Sequence, residues 1–323
     1  MIPFLFRRLL QGLAILFMVA TVTFALIHAA PGEPFAAQLE DARFTPEMSA
    51  TLRRQYGLDA PLTTQYARFL TQLVRGDLGN SLSQHQPVRA ILAQALPRTL
   101  VLMSAALAAG FALGVVTGAA QAARAGTRLD RVAGRISVAL SALPDFWLAL
   151  ALMLVFAMRL RWFPVSGMFD QTMHEYMSPM GKLRDVAWHL VLPATTLALI
   201  IGAVVARHQR QALVDILPED FVRSARAKGV RERTVVMRHA LRNALLPTIT
   251  LLGLALPALV GGAVIIENIF GWPGMGRVAL DAIAARDYPV VLGTTMVGSL
   301  LVVLGSLFAD LLSAVVDPRL RRG

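Results

Sequence analysis

The sequence predicts an all-α integral membrane protein with six transmembrane helices. Three observations carry that expectation. Hydrophobic residues make up 56% of the 323-residue chain and charged residues only 16%, against about 25% charged in an average soluble domain. The apolar residues fall into six runs long enough to cross a hydrocarbon core of about 30 Å, which takes about 20 residues. Lys and Arg cluster in alternate connecting segments, as the topology of membrane proteins requires.

The first run covers 9–30, follows Arg7 and Arg8, and ends at Pro31-Gly32. A signal peptide is its rival. The run exceeds the usual apolar core of about 7–15 residues and lacks a clear small-x-small cleavage site, so an uncleaved span is expected. The remaining runs cover 99–123, 136–158, 186–206, 244–266 and 290–309. Backbone groups cannot stay unpaired in lipid, so each run is expected to be helical. Two regions result: 1–98, an N-terminal span with a long outer loop, and 99–323, a five-span core.

With the N-terminus inside, the inner segments hold 18 Lys and Arg and the outer loops 13, seven of them in the long first loop, where the bias is weak. Both termini are therefore expected in the cytoplasm, and the formal net charge of +11 becomes a topology signal. A nucleic-acid reading of that charge fits poorly with long apolar runs. The chain has no cysteine, which excludes disulfides, thiolate metal sites and a cysteine nucleophile. No H-E-x-x-H, G-x-S-x-G or G-x-x-x-x-G-K-[ST] occurs, so neither a protease, a lipid hydrolase nor a self-contained ATPase has a visible site.

The first outer loop, 31–98, has local structure of its own. Thr45-Pro46-Glu47 is a helix start and Gly57 a stop. Leu62, Tyr66, Phe69, Leu70 and Leu73 then form one helical face, ending near Gly76. That face suits packing on the spans, the membrane surface or a docking partner.

The inner loop at 207–243 is the most informative segment. Pro218, Glu219 and Asp220 open a helix with acids at its positive end. Phe221, Val222 and Ala225 form an apolar patch, and Lys228 and Gly229 close the helix. A second helix is expected from Glu232 into the fifth span. Arg231, Arg238 and Arg242 form a basic stripe suited to anionic headgroups.

Pro144, Pro193, Pro247 and Pro257 fall inside runs and are candidate hinges. Asp145 lies well within the third run, where a carboxylate is costly and a role in the pathway is the default reading. A water-facing position or hydrogen bonding at the proline break are its alternatives. His28 and His189 are isolated and suit packing or interfacial roles, while Glu267 and Asp310, near span ends, suit solvated or capping ones.

D-F-V-R-S-A-R-A-K-G, from Asp220 to Gly229, resembles the EAA loop of bacterial ABC importer permeases. More narrowly it resembles the peptide/nickel branch, with S/T-A-R-A-x-G. R-H-A-L-R-N-A-L-L-P from Arg238 agrees, as do A-P-G-E-P from Ala30, G-D-L-G-N-S from Gly76 and L-P-D-F-W from Leu143. So do F-P-V-S-G from Phe163, H-L-V-L-P from His189, F-G-W-P-G-M-G-R from Phe270, A-R-D-Y-P from Ala285 and D-P-R-L-R from Asp317. The resemblance runs along essentially the whole chain in the right order. Arg223 replaces the leading acid of the general motif, and His239, Leu241 and Arg242 depart from its isoleucine and Leu-Pro ending. Both departures resemble the branch's permease with a long first outer loop, which favours a heterodimer.

The resemblance implies a type I ABC importer permease in the bacterial inner membrane. It implies a second homologous permease, two cytoplasmic ATPase subunits and an extracytoplasmic substrate-binding protein. Glu219, Asp220, Phe221, Ser224, Ala225, Lys228 and Gly229 would couple to the ATPase, with Ala225 and Gly229 allowing close docking. ATP and magnesium would sit on the partner subunits, with no cofactor in this chain. Peptides are the implied solute, and nickel complexes or glutathione the alternatives. A non-ATP transporter or channel, a membrane enzyme and a subunit without a pathway are the competing classes.

Overall fold

The computed structural model describes residues 2–29, 59–255 and 263–316, and these are helical with short connections. The helices are α1 (Ile2–Ala29), α2 (Leu62–Val74), α3 (Val88–Ala122), α4 (Arg128–Ala142), α5 (Asp145–Leu152), α6 (Pro179–Ile216), α7 (Asp220–Ala227), α8 (Leu241–Ala255), α9 (Val264–Ile269), α10 (Met275–Ala284) and α11 (Tyr288–Val316). Glu232–Thr234 and a π-helical turn, Val235–Ala240, lead directly into α8.

Four helices are long and apolar enough to cross a membrane: Phe6–Ala29, Val88–Ala122, Pro179–Ile216 and Tyr288–Leu311. A fifth crossing exists only if a bent pair counts as one, because Arg128–Ala142 and Asp145–Arg159 meet at 106°. The expected third span, with Pro144 as a candidate hinge, is thus corrected from one kinked helix to a broken pair. The cause is local. Leu143 and Pro144 are both extended, with ψ of 137° and 136°; proline lacks an N–H and disfavours helix in the residue before it. The expected fifth span falls on α8, on α9 and on residues outside the described set. Among the described residues the count is therefore four spans and one broken pair, short of six. The expected helix start at Thr45 and stop at Gly57, together with Pro257, also lie outside the described residues.

The chain divides into two compact units, Met1–Thr99 with Pro273–Val303, and Leu100–Trp272 with Leu304–Gly323. In the first, α2 packs on α1: Thr21 Oγ1 meets Tyr66 OH at 2.6 Å, and His28 Nε2 meets Gln65 Oε1 at 3.1 Å. The Phe24 ring lies 5.2 Å from Tyr66 and 5.6 Å from Phe69. Packing is therefore where the amphipathic face goes, and His28 is part of it. A second cluster joins Val88, Ile91 and Leu92 to Ala282 and Val290. Beside it the buried Asp287 carboxylate accepts from Ser81 Oγ (2.5 Å), Ser83 N (3.0 Å) and Ser83 Oγ (2.7 Å). Burial alone would raise its pKa; the serine donors more than offset that and hold it below the ordinary value.

In the second unit, Gly110, Gly114 and Gly118 bring α3 against α6. A Cβ at these positions would fall 2.9 Å from Ile201, 2.5 Å from Val205 and 2.5 Å from the Ala206 carbonyl. Small residues at this spacing let two helix backbones approach closely in lipid. A core of Leu102, Met103, Leu192, Ile266 and Trp272 lies at one end, and Leu213, Val222, Val235, Val236 and Leu241 build another. Glu267, expected in a solvated or capping role, is completely buried within the short α9 and so is not solvated.

Candidate coupling site

Helix α7 is the short helix that the punctuation of 218–229 foretells. Glu219 is its N-cap residue, with ψ of 151°, and Asp220 stands in the first turn. At the other end the Gly229 amide reaches the Arg226 carbonyl at 2.9 Å and the Val230 amide the Ala225 carbonyl at 3.3 Å. This is a Schellman closure with Gly229 at φ +73°. The space a Cβ would take at Gly229 is open. Its glycine is required by backbone conformation, not by crowding within the chain.

The two faces of α7 differ sharply. Val222 is fully buried and Ala225 is 7% exposed; both pack in the cluster with Leu213, Val235 and Val236. Ala225 therefore faces the chain's own core, which changes the part expected of it from docking surface to anchor. Phe221 is 43% exposed, and Arg223, Ser224, Lys228 and Gly229 are exposed with it. The Asp220–Arg223 pair at 2.8 Å is solvent-washed and contributes little.

One clamp braces the helix, and a second ties the helices behind it. Arg226 binds Glu232 bidentately, Nε to Oε2 at 3.1 Å and Nη2 to Oε1 at 2.7 Å. The arginine's hydrogen bond lowers the Glu232 pKa. Further back, Arg210 forks onto Asp130, Nε to Oδ1 at 2.7 Å and Nη2 to Oδ2 at 2.9 Å, and the Gly126 amide donates to the same carboxylate at 2.9 Å. Asp130 lies ahead of the apolar run that begins at 136. Arg210 first, then the Gly126 amide, bring its pKa from 3.8 to about 2. Next to Arg210 in sequence, buried Gln209 donates to the Ala244 carbonyl at 3.2 Å and accepts from Thr248 Oγ1 at 2.7 Å, tying α6 to α8. Sequence reasoning missed Asp130, Arg210 and Gln209. Their partners are 80 and 39 residues away, and no local pattern marks them.

The candidate hinges do not gather at this site. Pro144 and Asp145 are exposed at the break between α4 and α5, and Asp145 is the first residue of α5, favourably placed at a helix N-terminus. Its carboxylate is thus exposed at a helix start and not sunk in an unbroken apolar helix. Pro193 is buried within α6 and Pro247 exposed within α8. His189 pairs with Asp185 at 3.1 Å, and His174 meets the same carboxylate at 2.7 Å. Arg238 and Arg242 are exposed, but the π turn between Arg231 and Arg242 alters the spacing expected of a regular stripe.

A family model described as binding-protein-dependent transport system inner membrane component matches residues 88–322. A second, for the N-terminal part of such membrane components, matches residues 1–103. A putative peptide permease protein of Brucella suis is 40% identical over 324 residues, 99% of both chains. An oligopeptide transport system permease protein of Bacillus subtilis is 37% identical and a di/tripeptide transport system permease protein of Pseudomonas aeruginosa 38% identical, each over 99% of both chains.

Proposed function

Because this chain belongs to the family of binding-protein-dependent transport system inner membrane components, we propose that it is a peptide-importing permease subunit driven by ATPases on other chains. The observation that carries this reading is α7: a short helix, closed at its C-terminus by a Schellman turn, with one face anchored in the chain's own core and the other open. The likeness to peptide permeases over 99% of their length supports peptides as the solute. The partners are a second, homologous permease, two cytoplasmic ATPase subunits and an extracytoplasmic binding protein.

In this reading six spans cross the inner membrane with both termini in the cytoplasm. ATP binding draws the ATPase subunits together. Each pulls on the exposed side of one α7 helix, through Phe221, Ser224 and Lys228. Val222 and Ala225 carry that displacement into the cluster that holds the start of α8. Gly229 keeps the turn tight, and Arg226–Glu232 fixes its direction. Access to the pathway then alternates between the two sides, with the α4–α5 break at Pro144 as a bending point and Pro193, Pro247 and Pro257 as further ones. The chain moves its solute and makes no covalent bond to it.

The test is reconstitution in liposomes with the four partner subunits and labelled dipeptide. Uptake and stimulation of ATP hydrolysis by loaded binding protein should appear only when this chain is included. Equal stimulation without it overturns the reading.

A further inference from the structure

Helix α10 and the first turns of α3 line an open pocket of about 290 Å³. All of its walls belong to the first unit. On α3 the lining positions are 91, 94, 95 and 98, the spacing of one helix face. A face that meets another helix is ordinarily apolar. Here Ile91 and Ala95 are apolar and buried, but their neighbours are Gln94 and Arg98. Across the cavity α10 presents Arg277 and Asp281. An apolar floor with a few converging polar groups is the composition of a small-molecule site.

The mouth carries two more carboxamides, Gln84 and Gln86. Their loop is fixed at both ends. Asn80 pairs with Pro87 in an antiparallel bridge, and Ser81 and Ser83 donate to buried Asp287. A pre-set loop lowers the ordering cost of binding. Arg98 Nη1 reaches the Pro273 carbonyl at 3.5 Å, which holds the guanidinium at the wall. Arg277 and Asp281 stand 3.9 Å apart with side chains 43% and 68% exposed. So long and wet a pair is weak.

We propose that this cavity is an extracytoplasmic subsite for a short zwitterionic peptide, with the arginines taking its carboxylate and Asp281 its ammonium group. The proposal rests on the reading of the chain as a peptide permease with this side outside. The chemistry matches group by group. Guanidinium pairs with carboxylate and carboxylate with ammonium, and the three glutamines offer both donors and acceptors to peptide bonds. A simple anion would meet repulsion from Asp281, and an apolar solute would leave the amides unpaired. The volume lies at the low end of the roughly 300–1,000 Å³ of small-molecule sites. A docking protein would need about 800 Å² of its surface buried.

The test uses the complete reconstituted transporter with saturating loaded binding protein. The probes are L-alanyl-L-alanine, its C-terminal amide and its N-acetyl derivative. Arg98→Gln and Arg277→Gln should each slow uptake of the free dipeptide by roughly tenfold, the worth of one charge-assisted contact, and leave the amide unchanged. Asp281→Asn should do the same to the free dipeptide and spare the N-acetyl form. Variants that match wild type on all three probes, or slow all three equally, overturn the subsite while wild-type dipeptide uptake still upholds the peptide reading. A wild type that hydrolyses ATP but carries none of the three overturns that reading and the subsite with it.

Discussion

Gly229 and Asp130 show how single residues hold the coupling region. At φ +73° a residue with a Cβ is strained by about 1–2 kcal/mol, and asparagine tolerates this region best after glycine. Gly229→Ala should therefore lower thermal stability by about 1 kcal/mol and reduce transport per ATP, with Gly229→Asn intermediate. Because the space beside Gly229 is open, a loss of transport in Gly229→Ala at unchanged stability would move its role to the docked ATPase. Asp130 acts through charge. Its pKa, lowered to about 2, means that the folded state prefers the carboxylate form. The stabilisation is full above the ordinary value near 3.8 and fades as pH falls through about 2. It amounts to about 2 kcal/mol. Asp130→Asn should melt lower than wild type at pH 7 in detergent, and the gap should narrow between pH 4 and pH 2. A gap independent of pH contradicts the ion pair as its source. Neither member was legible in the sequence as half of a pair, since only folding brings residues 80 apart together.

At the scale of elements, α7 was the most legible feature, because proline, acids and glycine act locally on backbone conformation. What the sequence could not supply was which side of the helix faces inward. Phe221, Val222 and Ala225 read as one apolar patch. Val222 and Ala225 are buried while Phe221 is 43% exposed, because the apolar cluster of Leu213 and Val235 lies against only one side. Val222→Asp buries an unpaired charge. It should lower stability by about 3 kcal/mol or more and cost assembled complex, visible as reduced co-purification with the ATPase. Phe221→Ala should leave stability within about 0.5 kcal/mol but weaken that co-purification. The third span was legible as apolar and as proline-bearing. The 106° angle at its break was not, because a proline in lipid can kink a helix gently or end it outright, and the choice depends on neighbours.

For the whole molecule, membrane character was legible in composition, which is summed over long stretches of chain. The serine clamp on Asp287 joins parts of the chain 206 and 204 residues apart, and the polar pocket between α3 and α10 parts 175 residues apart, beyond any periodic pattern. The central claim is that the open face of α7 docks on a separate ATPase and is pulled by it. Photo-crosslinking residues placed singly at Phe221, Ser224 and Val222 in the transporting complex test it most directly. The account predicts capture of the ATPase from 221 and 224 and none from 222, whose side chain is fully buried. Capture from none of the three, in a complex that still imports peptide, would contradict it.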